Sequence, residues 1–149
     1  MKRLLLASLA LLLATPALAQ DADAQDWEYQ IPDITKTAPI EGEMLRGLFL
    51  DQMHRGYYNF LQKPDGDYGF SEMMNADGTT LHERDGVKSA GRWRVLSNLV
   101  CFTYDTLGGG CFTIYKQGNC NFAYSVDSRQ FVAITIAGDD APDCEPAIA

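Results

Sequence analysis

Residues 101–115 read CFTYDTLGGGCFTIY, two near-copies of one aromatic run that each open on a cysteine, with three glycines between them. Successive side chains of a strand point to opposite faces. Phe102, Tyr104, Phe112 and Ile114 therefore share one face, and Thr103 and Thr113 share the cysteine face. Folded as a hairpin with Asp105–Gly110 as its loop, the stretch sets Cys101 opposite or nearly opposite Cys111. Directly opposed residues of an antiparallel pair have Cα atoms about 4.5–5.5 Å apart, within the roughly 4.4–6.8 Å that a disulfide spans. The glycines allow a loop with positive φ at no steric cost. The cysteines read as a staple that fixes hairpin register, since reactive pairs usually sit close together at a helix start.

Two further cysteines, Cys120 and Cys144, make the count even, the pattern of a disulfide framework in a small exported domain. Paired with each other they would close a longer loop and hold the C-terminal tail to the sheet. The rival pairing, Cys101–Cys120 with Cys111–Cys144, stays open if the strand order departs from a simple meander. There is no C-x-x-C, and neither histidine neighbours a cysteine pair, so no zinc pattern is present. No metal and no cofactor is expected.

The N-terminus supports export. MKRLLLASLALLLATPALAQ carries Lys2 and Arg3, an apolar run from Leu4 to Leu13, Pro16, and small residues at 17 and 19. That is the layout of a cleavable signal peptide, and the run is shorter than the ~20 apolar residues a membrane helix needs. Residues 1–19 read as the signal, 20–39 as an acidic, proline-punctuated extended arm, and 40–149 as a single β-rich domain. The expected location is the periplasm, or outside the cell, with no membrane insertion after signal removal. The formal charge of −8 becomes −10 once Lys2 and Arg3 leave. Such a chain repels phosphate backbones and anionic headgroups, which argues against nucleic acid or a membrane surface as partner.

In PIEGEMLRGLFLDQMHRG (39–56), Met44, Leu45, Leu48, Phe49 and Met53 recur at three- and four-residue steps. The period predicts a helix with Glu41 and Glu43 in its first turn, His54 and Arg55 in its last, and Gly56 as its stop. Everything after Gly56 reads as short strands: YYNFLQ, YGFSEMMN, TTLHER, SAGRWRVL, LVCFTY, CFTIYK, CNFAYSV and QFVAITIA. Turn-forming stretches such as KPDGD, NADG and RDG separate them. The expected fold is mainly β: a short helix packed on an antiparallel β-barrel or curved sheet, stapled by disulfides. Closure would also remove exposed strand edges.

Little in the chain points to catalysis. No nucleophile elbow, phosphate-binding loop or dinucleotide fingerprint occurs. His54 suits a helix C-terminus, and His82 falls at a strand position read as solvent-facing. A site joining the two histidines to Glu72, Glu83 or Asp77 is not demanded by their spacing. The acidic turns KPDGDYG and NADGTT lack the alternating ligands of a calcium loop, and they read as hairpin turns.

GRWRV (91–95) resembles the G-x-W strand of lipocalin-like (calycin) barrels, in which an arginine can cover the tryptophan. In those barrels, however, the motif opens the first strand, and here it follows a helix and about three strands. The plain alternative is a core Trp93 with Arg92 and Arg94 on the opposite face. Taken together, EGEMLRGLF (41–49), NADGTT (75–80), GRWRVLSNLVC (91–101) and Cys111 resemble an uncharacterised family of small exported proteins of Gram-negative bacteria, a domain of unknown function. The resemblance implies fold and compartment, and no activity.

The functional expectation is a non-enzymatic periplasmic binding or protein-interaction module, such as a modulator or inhibitor of an envelope protein. The alternative is a carrier that holds a small apolar ligand inside the barrel. Trp93, Phe102, Tyr104 and Phe112 are the candidate ligand-binding residues, with Phe60, Tyr68, Phe70 and Phe122 as further aromatics to line such a site. Aromatics of this kind also simply fill small barrels.

Overall fold

The computed structural model describes residues 31–59, 69–141, 143 and 144. The signal-peptide reading, most of the N-terminal arm, Phe60 and Tyr68 lie outside them. The elements are α1 (Gly42–Phe49), β1 (Gln52–Tyr58), β2 (Gly69–Met74), β3 (Thr79–Arg84), β4 (Val87–Leu96), β5 (Leu99–Tyr104), β6 (Gly108–Gln117), β7 (Cys120–Ser125) and β8 (Phe131–Ala137). The strands form an antiparallel meander in sequence order that closes as a barrel, with β8 paired to β1. Closed eight-stranded barrels have an interior just wide enough to be filled by side chains or to hold one small ligand.

The expected helix is shorter than its apolar period suggests. It stops at Phe49, and Asp51 turns the chain at φ 55° while its carboxylate accepts the Ala76 N–H at 2.6 Å. From Gln52 the pattern switches to alternation: His54 and Gly56 are buried, whereas Met53 and Arg55 are exposed. His54, Arg55 and Gly56 are thus strand residues and not the helix end. The basic residue in the last helical turn is Arg46. Only Leu45 and Phe49 of the helix are fully buried, and Met44 is 74 % exposed. Both buried residues enter one end of the barrel, where they join Met74, Trp93, Val100, Phe102 and Ile114 in the inner core. The Ile40 N–H, donated to the Ile114 carbonyl at 2.8 Å, ties the helix entry to β6.

The hairpin of 101–115 forms with Cys101 directly opposite Cys111. The disulfides are Cys101–Cys111 and Cys120–Cys144, with Cα atoms 4.0 and 5.2 Å apart, and no free cysteine is found among the described residues. Disulfides of this kind persist in oxidising compartments. The loop is tighter than expected, because the glycines are part of β6. Gly108, Gly109 and Gly110 pair with Tyr104, Thr103 and Phe102. Only Gly108 uses positive φ, at +76°. Gly109 is required for close approach, since a Cβ there would lie 2.2 Å from the Phe102 carbonyl oxygen.

The outer wall is not uniform. Arg92 and Arg94 project outward from β4 and are exposed. On β7 and β8 the outward residues instead form a second apolar cluster of Cys120, Phe122, Tyr124, Ile134 and Ile136. Phe122 belongs to this outer cluster, because it pairs with Tyr115 and Ile134 while its neighbour Ala123 takes the inward position. No helix among the described residues is long and apolar enough to cross a membrane.

Gly109→Ala forces two backbones apart and is expected to destabilise the protein by roughly 1–3 kcal/mol, the usual cost of overpacking. Gly47→Ala in the open helix, with nothing within 4 Å of the new Cβ, should be neutral or stabilising by up to about 1 kcal/mol. Urea unfolding midpoints of the two variants check this, and equal midpoints would contradict the tight β5–β6 approach.

Candidate functional site

Between the helix-filled end and the opposite rim, the barrel encloses a cavity of about 210 Å³. Its wall is mostly apolar: Phe49, Phe70, Met74, Val100, Phe102, Phe112 and Ile114 line it. Gly110, Ala123 and Ala133 also line it and present little or no side chain to the space. Leu107, in the β5–β6 turn and 54 % exposed, forms part of its edge.

Three of the four aromatics singled out in the sequence, Phe102, Tyr104 and Phe112, line this space. Trp93 does not. It is buried beside Phe49 in the inner core, and its indole N–H donates to the Asn75 carbonyl at 2.8 Å. Among the described residues the cation–π contact is Arg84 over Tyr58, at 5.8 Å, with Arg92 and Arg94 on the outer face.

The polar part of the site was not legible from spacing. Register places His54, Glu72, His82 and Ser89 directly opposite one another on β1 to β4, and all four are buried. His82 therefore faces the barrel interior and not solvent. Glu83 points outward and pairs with Lys88 at 3.4 Å, and Asp77 caps the β2–β3 turn through Thr79. Among the described residues no three acidic, histidine or cysteine side chains are grouped so as to hold a metal ion.

His54 bonds the Leu48 carbonyl through Nε2 and the Thr135 hydroxyl through Nδ1, both at 3.0 Å. A carbonyl only accepts, so Nε2 carries the proton and Thr135 donates to Nδ1. Burial lowers the pKa of His54, with the Leu48 bond opposing. His82 lies 2.8 Å from the Tyr58 hydroxyl through Nε2 and stacks on Phe70. Its pKa is lowered by burial and then by the Arg84 charge, while burial pushes Tyr58 up to about 12.

Glu72 is the most consequential group. Its Oε1 accepts the Tyr104 hydroxyl at 2.5 Å and lies 2.8 Å from the Thr80 hydroxyl. Tyr104 reaches it from β5 by passing over Gly91, which pairs with both Thr80 and Tyr104. A Cβ on Gly91 would sit 2.9 Å from the Tyr104 ring. No charged partner contacts Glu72 among the described residues. Burial raises its pKa, and the bonds from Tyr104 and Thr80 only oppose that rise.

Thr135 and His54 form a hydroxyl–imidazole pair, but Thr135 lies within the β8 ladder, paired to Gly56 on one side and Asn121 on the other. Ladder pairing commits the nearby N–H groups that an oxyanion would need. A second concavity, about 740 Å³, lies on the outer wall of β3–β5. It is mixed in charge, with Asp77, Asp105, Arg92 and Arg94 among its lining residues. No protein-family model, curated protein or solved structure matches the chain.

The raised pKa of Glu72 has a definite sign in stability. Below its ordinary value of 4.5 the carboxyl is protonated in both folded and unfolded chains. As pH rises, the unfolded chain ionises first, so folding is progressively disfavoured up to the raised folded value. Glu72→Gln removes that loss. Its melting temperature should exceed that of the parent protein at pH 7, and the two should converge below pH 4.5. A constant gap across pH, or a variant less stable at pH 7, would contradict an uncompensated carboxyl.

Proposed function

We propose that this protein is a non-enzymatic binding module of the bacterial periplasm, delivered there by residues 1–19, whose site is the barrel interior. Its ligand is small and mostly apolar. The observation that carries this reading is the cavity of about 210 Å³ that remains although a helix already fills one end of the barrel. Cavities of about 150 Å³ lined by apolar side chains take up benzene. The volume is below the roughly 300–1,000 Å³ of sites for drug-sized molecules, which limits the ligand to one ring with a short substituent. The outer wall offers a protein partner less, because the mixed-charge depression on β3–β5 lacks the apolar anchors that dominate interface energetics.

Toluene tests the site. Titrated into the protein and followed by methyl NMR, it should shift Met74, Val100, Ile114 and Ala123 with a Kd of about 1 mM or tighter. Ala123→Leu, which fills the space, should weaken it at least about tenfold. Absence of shifts at saturating toluene, or shifts confined to the outer wall, would overturn the reading.

A further inference from the structure

We propose that the ligand of the barrel interior is a small organic monocation, an aromatic or alkyl amine whose ammonium group pairs with the Oε2 atom of Glu72. This rests on the interior being a binding site at all, and it specifies the chemistry of what enters.

The geometry starts from a carboxylate with one oxygen engaged and one free. Oε1 of Glu72 meets Tyr104 and Thr80. Oε2 has no partner among the described residues, although Glu72 is only 6 % exposed and lines the cavity. A buried carboxyl without a cation is costly to ionise, and an opposite charge brought within about 4–6 Å removes that cost. The neighbouring rings suit the same charge. Phe70 and Tyr104 line the cavity beside Glu72, and aromatic faces attract ammonium groups within about 6 Å of their centroids. Beyond this polar level, Phe102, Phe112 and Ile114 offer the apolar surface that the rest of such a ligand would cover.

The other charges permit this. Arg84 pairs with Asp85 at 3.2 Å and sits over Tyr58, so its guanidinium does not neutralise Glu72. His54 from β1 and His82 from β3 flank Glu72, and both are held neutral to lower pH than an exposed histidine. Tyr58 and Tyr104 resist ionisation. Among the described residues that line the cavity, Glu72 is the one acidic side chain. The formal charge of −8 on the whole chain favours approach of cations over anions.

The test compares phenethylammonium with propylbenzene, a neutral molecule of matching shape, by calorimetry and methyl NMR on the intact disulfide-bonded protein at pH 7. The expected result is an amine bound about tenfold or more tightly than the hydrocarbon. Glu72→Gln should abolish that preference and leave propylbenzene affinity within about twofold. In the parent protein, amine affinity should also rise with pH as Glu72 ionises, and this rise should shrink in Glu72→Gln, where only the two histidines remain to titrate. If propylbenzene binds as well as the amine, or the amine preference survives Glu72→Gln, the assignment of a cation is overturned while the interior site stands. If neither probe shifts the cavity methyls, the interior site falls with it.

Discussion

Pairing of β1 with β8, His54–Tyr58 against Ala133–Ala137, is the constraint on which the other features depend. It turns a linear meander into a closed wall, and closure gives every strand an inside and an outside with period two. The inside receives His54, Glu72, His82 and Trp93. The outside receives both disulfides, the exposed arginines of β4 and the apolar cluster on β7 and β8. A slip of one residue in any strand would exchange the two sets. The Cys101–Cys111 bridge joins directly paired residues and so fixes register at β5–β6. The Cys120–Cys144 bridge fastens the chain beyond β8, where Asn119 also accepts the Asp143 N–H at 2.7 Å.

Within that wall, the packing is uneven in an informative way. One end is sealed by Leu45 and Phe49 of the helix against Met74, Val100 and Ile114. The middle carries a row of buried polar side chains, and the remaining space is bordered on β7 and β8 by Ala123 and Ala133. A fold selected for stability alone would gain by filling that space and by replacing Glu72 with a neutral residue. Departures from local optimisation tend to concentrate at functional positions. An uncompensated buried carboxyl and an unfilled cavity at the same place are what support the binding function proposed above.

The eight strands were legible because aromatic and β-branched runs alternate with Asp-Gly and Gly-rich turns. Seven of them fall where composition places them. The exception is β1. QMHRGYY shares its apolar residues with a plausible continuation of the helix, and only the pairing with β2 and β8 draws it into the sheet. The same misplacement hid the polar row. With His54 read as a helix end, nothing aligned it with Glu72 and His82, which lie 18 and 28 residues further on.

By itself the sequence determined the class of fold and the antiparallel order, and it offered the Cys101–Cys111 staple beside a rival pairing that only the closed meander decided against. These follow from alternation, turn chemistry and loop length, all of which act over about ten residues. The tertiary structure alone decided which faces look inward, that Trp93 packs under the helix instead of lining the cavity, and that Phe122 lies on the outer wall. It also decided that Glu72 stands with one oxygen free among aromatic rings. Those outcomes depend on barrel closure and cross-strand register, which join residues far apart in the chain and leave no local signature.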